Sequence, residues 1–319
     1  MGSKMRTVRH IRPVAVSFLL TTALAACGSS AAENSGSPQS AKDPDELVFA
    51  SVPGENSTSL QQRLKPLVEL LEKETGKKVV VQVATDYAAV IEGQRAGKVD
   101  IALHGPLSYV VARTAGVKLL AVASQVAEKG EKPGYRSYGF VRSDSTVKTL
   151  RDFKGKQVCF VDPNSTSGYL YPRAALTKAN IGAEKDVEEV LAGGQDASVI
   201  GVANGQCDAG FANNTMVDTL MPEKGIIKKG DLRVVWKSDL IPGEPVTVSE
   251  ELSATLREKI ADTFAHKANE DYLRTHGFCT GDACRVGDKW GYAAVSDSDF
   301  DSVREVCKTI QGIQCRKPE

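Results

Sequence analysis

The stretch Asp162-Pro163-Asn164-Ser165-Thr166-Ser167-Gly168 is the most informative part of the chain. It follows the apolar run 158–161 and precedes a helix-like stretch that begins at Tyr169. The order is therefore strand, turn, three hydroxyl side chains and helix. The first turn of a helix carries unpaired backbone N–H groups and a partial positive charge, so hydroxyls at this place predict a site for a small tetrahedral oxyanion. The alternative is plain helix capping, because Ser and Thr are also preferred N-cap residues.

The same order of strand and helix recurs along the chain. Strands are predicted at 46–51, 78–83, 100–103, 118–123, 138–142, 156–161, 187–191, 208–212 and 232–237. Helices are predicted from a cap at Ser57 or Thr58 to Gly76 and at 87–96, 106–114, 168–179, 197–204, 249–265 and 297–310. Parallel strands alternating with helices indicate an α/β fold that binds ligands at the carboxyl ends of its strands. Because the pattern forms two blocks, we expect the ligand in the cleft between two lobes.

The N-terminus predicts export. Four basic residues, the last of them Arg12, precede an apolar stretch over 14–26 that is too short for a stable membrane span. The stretch ends in Leu24-Ala25-Ala26-Cys27, which resembles a bacterial lipobox and implies cleavage before Cys27 and lipidation of its thiol. We therefore expect a signal peptide at 1–26, a flexible tether at 27–45 and a chain anchored to the outer face of the cytoplasmic membrane. The alternative is an ordinary secretory peptide with a chance Cys.

Cysteine spacing is also typical of an exported protein. After Cys27, an even six of the seven cysteines remain, and six allow fifteen pairings. Local spacing favours the pairs Cys279–Cys284 and Cys307–Cys315, which leaves Cys159–Cys207, both in predicted strands. A metal site is the alternative, although the spacing between the first of these pairs is not that of a zinc ribbon.

The balance of charges argues against a nucleic-acid partner. The full chain has 319 residues, with 40 basic and 40 acidic side chains. Removal of 1–26 takes away four basic and no acidic residues, which leaves 36 against 40 and a net charge of −4. A nucleic-acid-binding protein would instead present a clustered basic face. We therefore expect local dipoles and hydroxyls to hold an oxyanion in this chain.

Nine short segments, spread over nearly the whole exported part of the chain, carry a family resemblance. They are Thr85-Asp86-Tyr87, Val99-Asp100-Ile101-Ala102, Gly105-Pro106-Leu107-Ser108-Tyr109, Pro133-Gly134-Tyr135-Arg136-Ser137-Tyr138, the stretch 162–168, Asp208-Ala209-Gly210, Asn213-Asn214-Thr215, Trp236-Lys237-Ser238 and Ile241-Pro242-Gly243-Glu244-Pro245. From about residue 46 to residue 308 the chain resembles the phosphate/phosphite/phosphonate-binding family of ABC-importer substrate-binding proteins. The resemblance implies a two-lobed type II periplasmic-binding fold, with lobe 1 at 46–140 plus 246–319 and lobe 2 at 141–245.

The resemblance also implies the residues that contact the ligand. Ser165, Thr166, Ser167 and the backbone around Gly168 would clamp a phosphorus oxyanion, and Tyr87 and Tyr135 would face it from the first lobe. Gln195, Asn214 and Glu244 complete the expected set. Each tyrosine has the alternative of a half-buried core aromatic with a backbone partner, and Glu244 has the alternative of a solvated hinge residue.

Two positions depart from the family pattern. Gln195 stands where many members have His, so a contact whose charge depends on pH is replaced by a neutral hydrogen-bonding side chain. Met216 stands where members that take aminoalkylphosphonates tend to have an acid, so an ammonium group there would lack its counter-charge. We therefore expect a compact ligand without a cationic tail. Glu244 could accept a proton from a P–OH group.

The motifs of catalysis were not found in the sequence, and we expect neither an enzyme nor a cofactor. There is no Gly-x-Ser-x-Gly elbow, no Walker loop and no His-Glu-x-x-His helix. We expect a monomeric binding protein that delivers a phosphorus oxyanion to an ABC permease and its ATPase. A binding protein that only signals to a sensor, and an extracellular phosphoester hydrolase, are the alternatives. Phosphate, phosphite and small alkylphosphonates all remain open, because they share the oxyanion face.

Overall fold

The computed structural model describes residues 41–54, 57–286 and 289–310 of the chain. The predicted signal peptide, Cys27, most of the tether and Cys315 lie outside these residues, so the expectations about them stay predictions. Among the described residues, no helix is both long and apolar enough to cross a membrane.

The first lobe is built on a mixed sheet of six strands. They are β1 (Glu46–Ser51), β2 (Lys78–Val83), β3 (Ile101–Leu103), β4 (Leu119–Val126), β12 (Pro245–Ser249) and β13 (Gly291–Ala294). Their order is β13-β4-β12-β3-β1-β2. The strands β1, β2 and β3 are mutually parallel, whereas β12 and β13 run antiparallel to their neighbours.

The second lobe is built on a mixed sheet of five strands. They are β6 (Ser137–Arg142), β7 (Gln157–Phe160), β8 (Glu188–Leu191), β9 (Ala209–Asn213) and β10 (Leu232–Lys237). Their order is β10-β6-β9-β7-β8. The strands β7, β8 and β9 form the parallel part, and β6 runs antiparallel to both β9 and β10.

Helices follow most of the parallel strands. The α-helices of the described residues are α1 (Ser57–Thr75), α2 (Tyr87–Arg95), α3 (Pro106–Thr114), α4 (Tyr171–Lys178), α5 (Gln195–Ala203), α6 (Met221–Glu223), α7 (Ala254–Asp262), α8 (Glu270–Thr275) and α9 (Asp301–Lys308). Single π-helical turns precede α4 and α6 at Thr166–Leu170 and Met216–Leu220, and a third, Thr263–Lys267, follows α7.

The sheet of the second lobe is covered on both faces. Successive side chains of a strand point to opposite faces, and apolar residues lie on both. Phe211 on β9 packs with Phe153 and Phe160 in one buried cluster, whereas its neighbour Ala212 packs with Phe140 in another. Further strand residues and residues of the surrounding helices and loops complete both clusters. The sheet therefore has no solvent-exposed face in its centre, and its strand ends are the places left for polar groups.

The chain crosses between the sheets twice, and the two crossings pair with each other. They form the two-stranded sheet of β5 (Gly134–Tyr135) and β11 (Ile241–Pro242). The first crossing lies before β6, because 137–142 already pair in the second sheet. The predicted lobe boundary at 140/141 therefore falls within β6, a few residues after this crossing. The lobe boundaries at 140/141 and 245/246 stay a proposal.

The predicted alternation of strands and helices is largely present, with one notable difference. The helix predicted at 249–265 begins only at Ala254, after the N-cap Ser253, because 245–249 form the central strand β12. The strands β12 and β13 were not predicted, and both run antiparallel. The sheets are therefore mixed rather than wholly parallel.

Two disulfides are visible within the described residues. Cys159 on β7 is bonded to Cys207, and Cys279 is bonded to Cys284. Cys307 on α9 is also disulfide-bonded, and its expected partner Cys315 lies outside the described residues. The first bond ties β7 to the turn at the amino end of β9.

Candidate functional site

The polar residues expected at the site lie at the carboxyl ends of parallel strands. The stretch 162–168 follows β7, Gln195 follows β8, and Asn213 ends β9. In the first lobe, Ser51 ends β1 and Tyr87 begins the helix that follows β2. Neighbouring parallel strands end at the same edge of a sheet, so these residues meet where the two lobes face each other.

The three hydroxyl residues form a closed polar cluster. Ser165, Thr166 and Ser167 are each only 1% exposed. Ser165 caps the π-helical turn that leads into α4, and its Oγ accepts a hydrogen bond from the N–H of Gly168 at 3.1 Å. The hydroxyl of Ser137 donates to the carbonyl oxygen of Ser167 at 2.5 Å. The turn is thereby held rigidly against β6.

Gln195 connects this cluster to the first lobe. Its Nε2 lies 3.2 Å from Ser165 Oγ, 3.3 Å from Ser167 Oγ and 3.4 Å from the hydroxyl oxygen of Tyr87. Its Oε1 accepts from the N–H of Asn213 at 2.9 Å, which fixes the orientation of the amide. The side-chain NH₂ group of Gln195 thus lies among the hydroxyls of Ser165, Ser167 and Tyr87.

Two further hydrogen bonds cross between the lobes. The N–H of Leu107, at the start of α3, donates to Thr166 Oγ1 at 2.8 Å. At the opposite side of the cleft, Lys289 Nζ donates to Thr215 Oγ1 at 3.0 Å. The lobes therefore meet through single polar contacts on both sides of the site.

A cavity of about 110 Å³ lies between these contacts. The first lobe lines it with Ser51, Val52, Gly54, Leu60, Arg63, Leu64, Tyr87, Leu103, Gln125, Gly243, Glu244, Val286 and Lys289, the second lobe with Gln195, Asn213, Thr215, Met216 and Leu220, and the crossing segment with Gly134 and Tyr135. Pockets for drug-sized ligands measure roughly 300–1,000 Å³. The cavity therefore suits a ligand of only a few heavy atoms.

Glu244 is the acidic residue in the cavity wall. Burial raises the pKa of its carboxyl to about 7, although the positive charges of Lys289 and Arg63 oppose the shift. The group is therefore close to half protonated at neutral pH. It can donate a hydrogen bond to a ligand oxygen in one state and accept a proton from a ligand in the other.

Two tyrosines face the same space. Burial raises the pKa of Tyr87 above its usual value, and hydrogen bonds to Gln195 and Ser165 oppose that rise. Burial also raises the pKa of Tyr135 well above its usual value, with the charge of Glu244 adding to the effect and hydrogen bonds to Thr166 and Ser167 opposing it. Both hydroxyls are consequently protonated donors at the site.

The cavity wall also contains two cations that the sequence did not predict. They lie there in addition to the hydroxyls and local dipoles that were expected to hold the anion. Arg63 lies on α1 and Lys289 in the segment before β13, so neither belongs to a recognised motif. One signal was present for Arg63, which is three residues after Leu60 and four before Leu67 and so shares the apolar face of its helix. Nothing in the sequence singled out Lys289.

Five of the expected residues are not among those that line the cavity: Ser165, Thr166, Ser167, Gly168 and Asn214. The hydroxyl cluster adjoins the cavity through Gln195, which contacts Ser165 and Ser167 and lines the wall itself. The Oδ1 of Asn214 accepts from the N–H of Arg136 at 2.8 Å, and Asn214 is not among the residues that line the cavity. Gly168 packs so closely that a Cβ there would lie 2.2 Å from Val161 Cγ2. Asn213, one position earlier on β9, lines the cavity instead.

A buried polar network supports the first-lobe side of the site. The ring nitrogens of His104, which is fully buried, lie 3.0 Å from Ser108 Oγ and 2.8 Å from Gln94 Oε1. Burial lowers the pKa of His104 to about 3, so the ring is neutral at physiological pH. Gln94 in turn donates to Thr247 Oγ1 on β12 at 3.0 Å. The network joins α2, α3 and β12 just beneath Tyr87 and Leu107.

Two mixed sheets, joined by paired crossings and enclosing a small polar cavity at their strand ends, define a solute-binding protein. The sequence profile of the family described as the periplasmic substrate-binding protein of phosphonate ABC transporters matches residues 49–278. The chain belongs to this family. It is accordingly an extracytoplasmic binding component of an ABC transporter for small phosphorus compounds, and not an enzyme.

Named relatives and solved structures agree with this family. The chain is 44% identical to the phosphate-import protein PhnD of Mycolicibacterium smegmatis, over 90% of this chain and 94% of that protein. It is 33% identical to the phosphonates-binding periplasmic protein of Escherichia coli, over 88% of this chain and 82% of that protein. The crystal structure of a binding protein component of a phosphonate ABC transporter from Pseudomonas aeruginosa has 28% identity and a TM-score of 0.73, over 83% of this chain and 86% of that one.

Proposed function

We propose that the chain is the lipid-anchored substrate-binding component of an ABC importer and that it captures phosphate or phosphite, with methylphosphonate as a weaker ligand. The observation that carries the proposal is the convergence of Ser165, Ser167 and Tyr87 on the amide of Gln195. These groups surround one point with short polar contacts. A tetrahedral oxyanion placed there would exchange those contacts for hydrogen bonds to its own oxygens, which are stronger because the acceptor is charged.

The size of the cavity supports a compact ligand. About 110 Å³ accommodates a phosphorus atom with four substituents, and Met216 and Leu220 form an apolar part of the wall. A fourth substituent that is OH, H or CH₃ would fit there. The relative with 44% identity is named as a phosphate-import protein, which favours phosphate.

The raised pKa of Glu244 supports the proposal that the ligand shares a proton with the protein. A pKa of about 7 allows one proton to lie either on the carboxyl or on a P–OH oxygen. Sulfate has the same shape as phosphate but carries no proton at neutral pH, so it can bind only against protonated Glu244, whereas phosphate can also donate a P–OH proton to the ionised carboxylate. The site therefore favours phosphate over sulfate, because an ionised Glu244 would face a sulfate oxygen with like charge and no proton between them.

The N-terminal sequence supports the lipid anchor. Cys27 follows Leu24-Ala25-Ala26, and the polar residues up to 45 would let a monomeric binding protein reach its permease from the membrane surface. Mass spectrometry of the protein from its native membrane tests this part. A mature N-terminus at a lipid-modified Cys27 is expected, and an unmodified Cys27 would exclude the anchor.

Isothermal titration of the protein from Cys27 onward tests the ligand. We expect phosphate, phosphite and methylphosphonate to bind one to one, and sulfate to bind at least roughly tenfold more weakly than phosphate, a difference of about 1.4 kcal/mol. Binding of sulfate with equal affinity would contradict the role of Glu244. Absence of binding for all three phosphorus oxyanions would overturn the proposed function.

A further inference from the structure

The charged residues of the cavity wall belong to two separate segments of the first lobe. Arg63 comes from α1, whereas Lys289 comes from the segment between the Cys279–Cys284 loop and β13. Together with Glu244 they are the charged side chains among the residues that line the cavity. The described wall therefore has a net charge of +1 when Glu244 is ionised and of +2 when it is protonated.

Both cations act on the same volume. The charges of Lys289 and Arg63 each oppose the effect of burial on Glu244, so all three side chains lie within electrostatic range of one another. The hydrogen bond from Lys289 to Thr215 places its ammonium group beside Met216, on the opposite wall of the cleft. The positive field thus reaches across the cavity from one lobe to the other.

The positive charge of Lys289 lies next to Met216, the position at which an acid would be needed to pair with an amine of the ligand. Met216 is 3% exposed and presents a thioether to the cavity, and its neighbour Thr215 accepts from a cation. An ammonium group on a ligand would therefore meet like charge at this wall, and the carboxyl of Glu244 already lies in the field of both Lys289 and Arg63. Repulsion between charges is strong in a site of this kind, because little water is present to screen it.

We propose that Arg63 and Lys289 set the charge selectivity of the site, so that it admits phosphorus oxyanions that carry only negative charge and rejects zwitterionic aminoalkylphosphonates. The inference rests on the proposed function and adds the class of ligand that the same cavity excludes. The proposal differs from one in which Met216 alone sets the selectivity against amines. A missing acid only fails to attract an amine, whereas two cations repel it and also attract the anion.

Charge-neutral variants test the proposal. Phosphate and 2-aminoethylphosphonate are titrated by calorimetry into the parent protein, Arg63→Gln and Lys289→Gln at the same pH and ionic strength. We expect phosphate to bind the parent at least tenfold more tightly than 2-aminoethylphosphonate, and each variant to shrink that ratio about tenfold, because a unit charge a few ångströms away contributes at this level. The double variant should bring the two affinities close together.

A further variant separates charge in the cavity wall from charge elsewhere on the lobe. Lys65→Gln removes a charge from the same helix as Arg63, but that side chain is 76% exposed and outside the cavity wall, so it should leave the ratio at the parental value. Thermal unfolding of each ligand-free variant shows whether it folds.

The outcomes distinguish the inference from the proposed function. If the parent binds phosphate and folded Arg63→Gln and Lys289→Gln keep the parental ratio, the selectivity does not come from these cations and the inference is wrong. Equal affinity of the parent for 2-aminoethylphosphonate and phosphate would also overturn it. If the parent binds neither ligand nor any other phosphorus oxyanion, the proposed function fails and the inference fails with it.

Discussion

Glu244 is the residue whose charge state most affects the site. Burial raises the pKa of its carboxyl to about 7, which lies above the usual range of a glutamate. Below that pH the carboxyl is neutral and can donate to an oxyanion. Above it the carboxylate is ionised and opposes a second anion in the same cavity.

Affinity for phosphate should therefore fall as the pH rises through 7, and Glu244→Gln should reduce this dependence. We expect the ratio of parental to variant affinity to fall by about tenfold between about pH 6 and about pH 8.5, measured by calorimetry. The protonation of phosphate itself is common to both proteins and cancels in the ratio. A ratio that stays constant over this range would show that Glu244 does not titrate at the site.

Residues on strand ends could be predicted, and residues brought in from elsewhere could not. Ser165 and Gln195 follow neighbouring parallel strands, so their proximity follows from the order of strands and helices in the sequence. Arg63 and Lys289 approach from a helix and a distant segment, and only the packing of the whole first lobe brings them to one cavity. The motif indicated Asn214, whereas Asn213 lines the cavity. A motif does not fix which residue at a strand end faces the cleft.

At the scale of elements, the π-helical turn Thr166–Leu170 sets the position of the hydroxyl cluster. It packs directly on the end of β7, and Gly168 permits this close approach. A Cβ at Gly168 would lie 2.2 Å from Cγ2 and 2.4 Å from Cβ of Val161, and 3.0 Å from Ser165 Oγ. Either the turn or the strand would have to move.

Gly168→Ala should therefore destabilise the fold and weaken phosphate binding. Overpacking costs about 1–3 kcal/mol in free energy of unfolding, and a displaced turn should lower phosphate affinity by roughly tenfold. Denaturant unfolding and calorimetry measure the two effects. Gly182→Ala is the matched control in the same lobe, because the nearest atom to its Cβ would be Asp186 Oδ2 at 3.4 Å. Equal effects of the two substitutions would contradict the role of close packing at Gly168.

The elements that escaped prediction share a physical cause. Strand β12 is short and its apolar residues Val246 and Val248 run directly into a region with helical periodicity, so the sequence suggested a helix from residue 249. Strand β13 is Gly-Tyr-Ala-Ala, which has little intrinsic preference for a strand. Both are defined by pairing with β4, a contact between residues far apart in the chain.

At the scale of the whole molecule, the two lobes meet through polar contacts around the cavity and through a buried apolar cluster that joins Leu170 and Tyr171 of the second lobe to α3 and α9 of the first. Leu107 with Thr166 and Lys289 with Thr215 are single hydrogen bonds on opposite sides, and the two crossings pair only over β5 and β11. A connection of two short chain crossings allows lobes to move as rigid bodies about a hinge. A ligand that contacts both lobes would favour the closed arrangement.

Small-angle X-ray scattering should therefore detect compaction on ligand binding. We expect saturating phosphate to decrease the radius of gyration, and an equal ionic strength of sodium chloride to leave it unchanged. The lobes contribute different contact residues, so closure and binding are linked. An identical scattering profile with and without saturating phosphate would contradict closure of the lobes over the ligand.

The central claim is that the hydroxyl cluster at the end of β7 holds the phosphorus oxyanion. Calorimetric titration of phosphate into Ser165→Ala and Thr166→Ala tests it most directly, with Thr166→Ser as the control that keeps the hydroxyl. A hydrogen bond to a charged group contributes about 1.5–3 kcal/mol, so each Ala variant should bind phosphate roughly ten- to a hundredfold more weakly while remaining folded. Thr166→Ser should stay close to the parent. Parental affinity in both Ala variants would contradict the claim and place the ligand elsewhere.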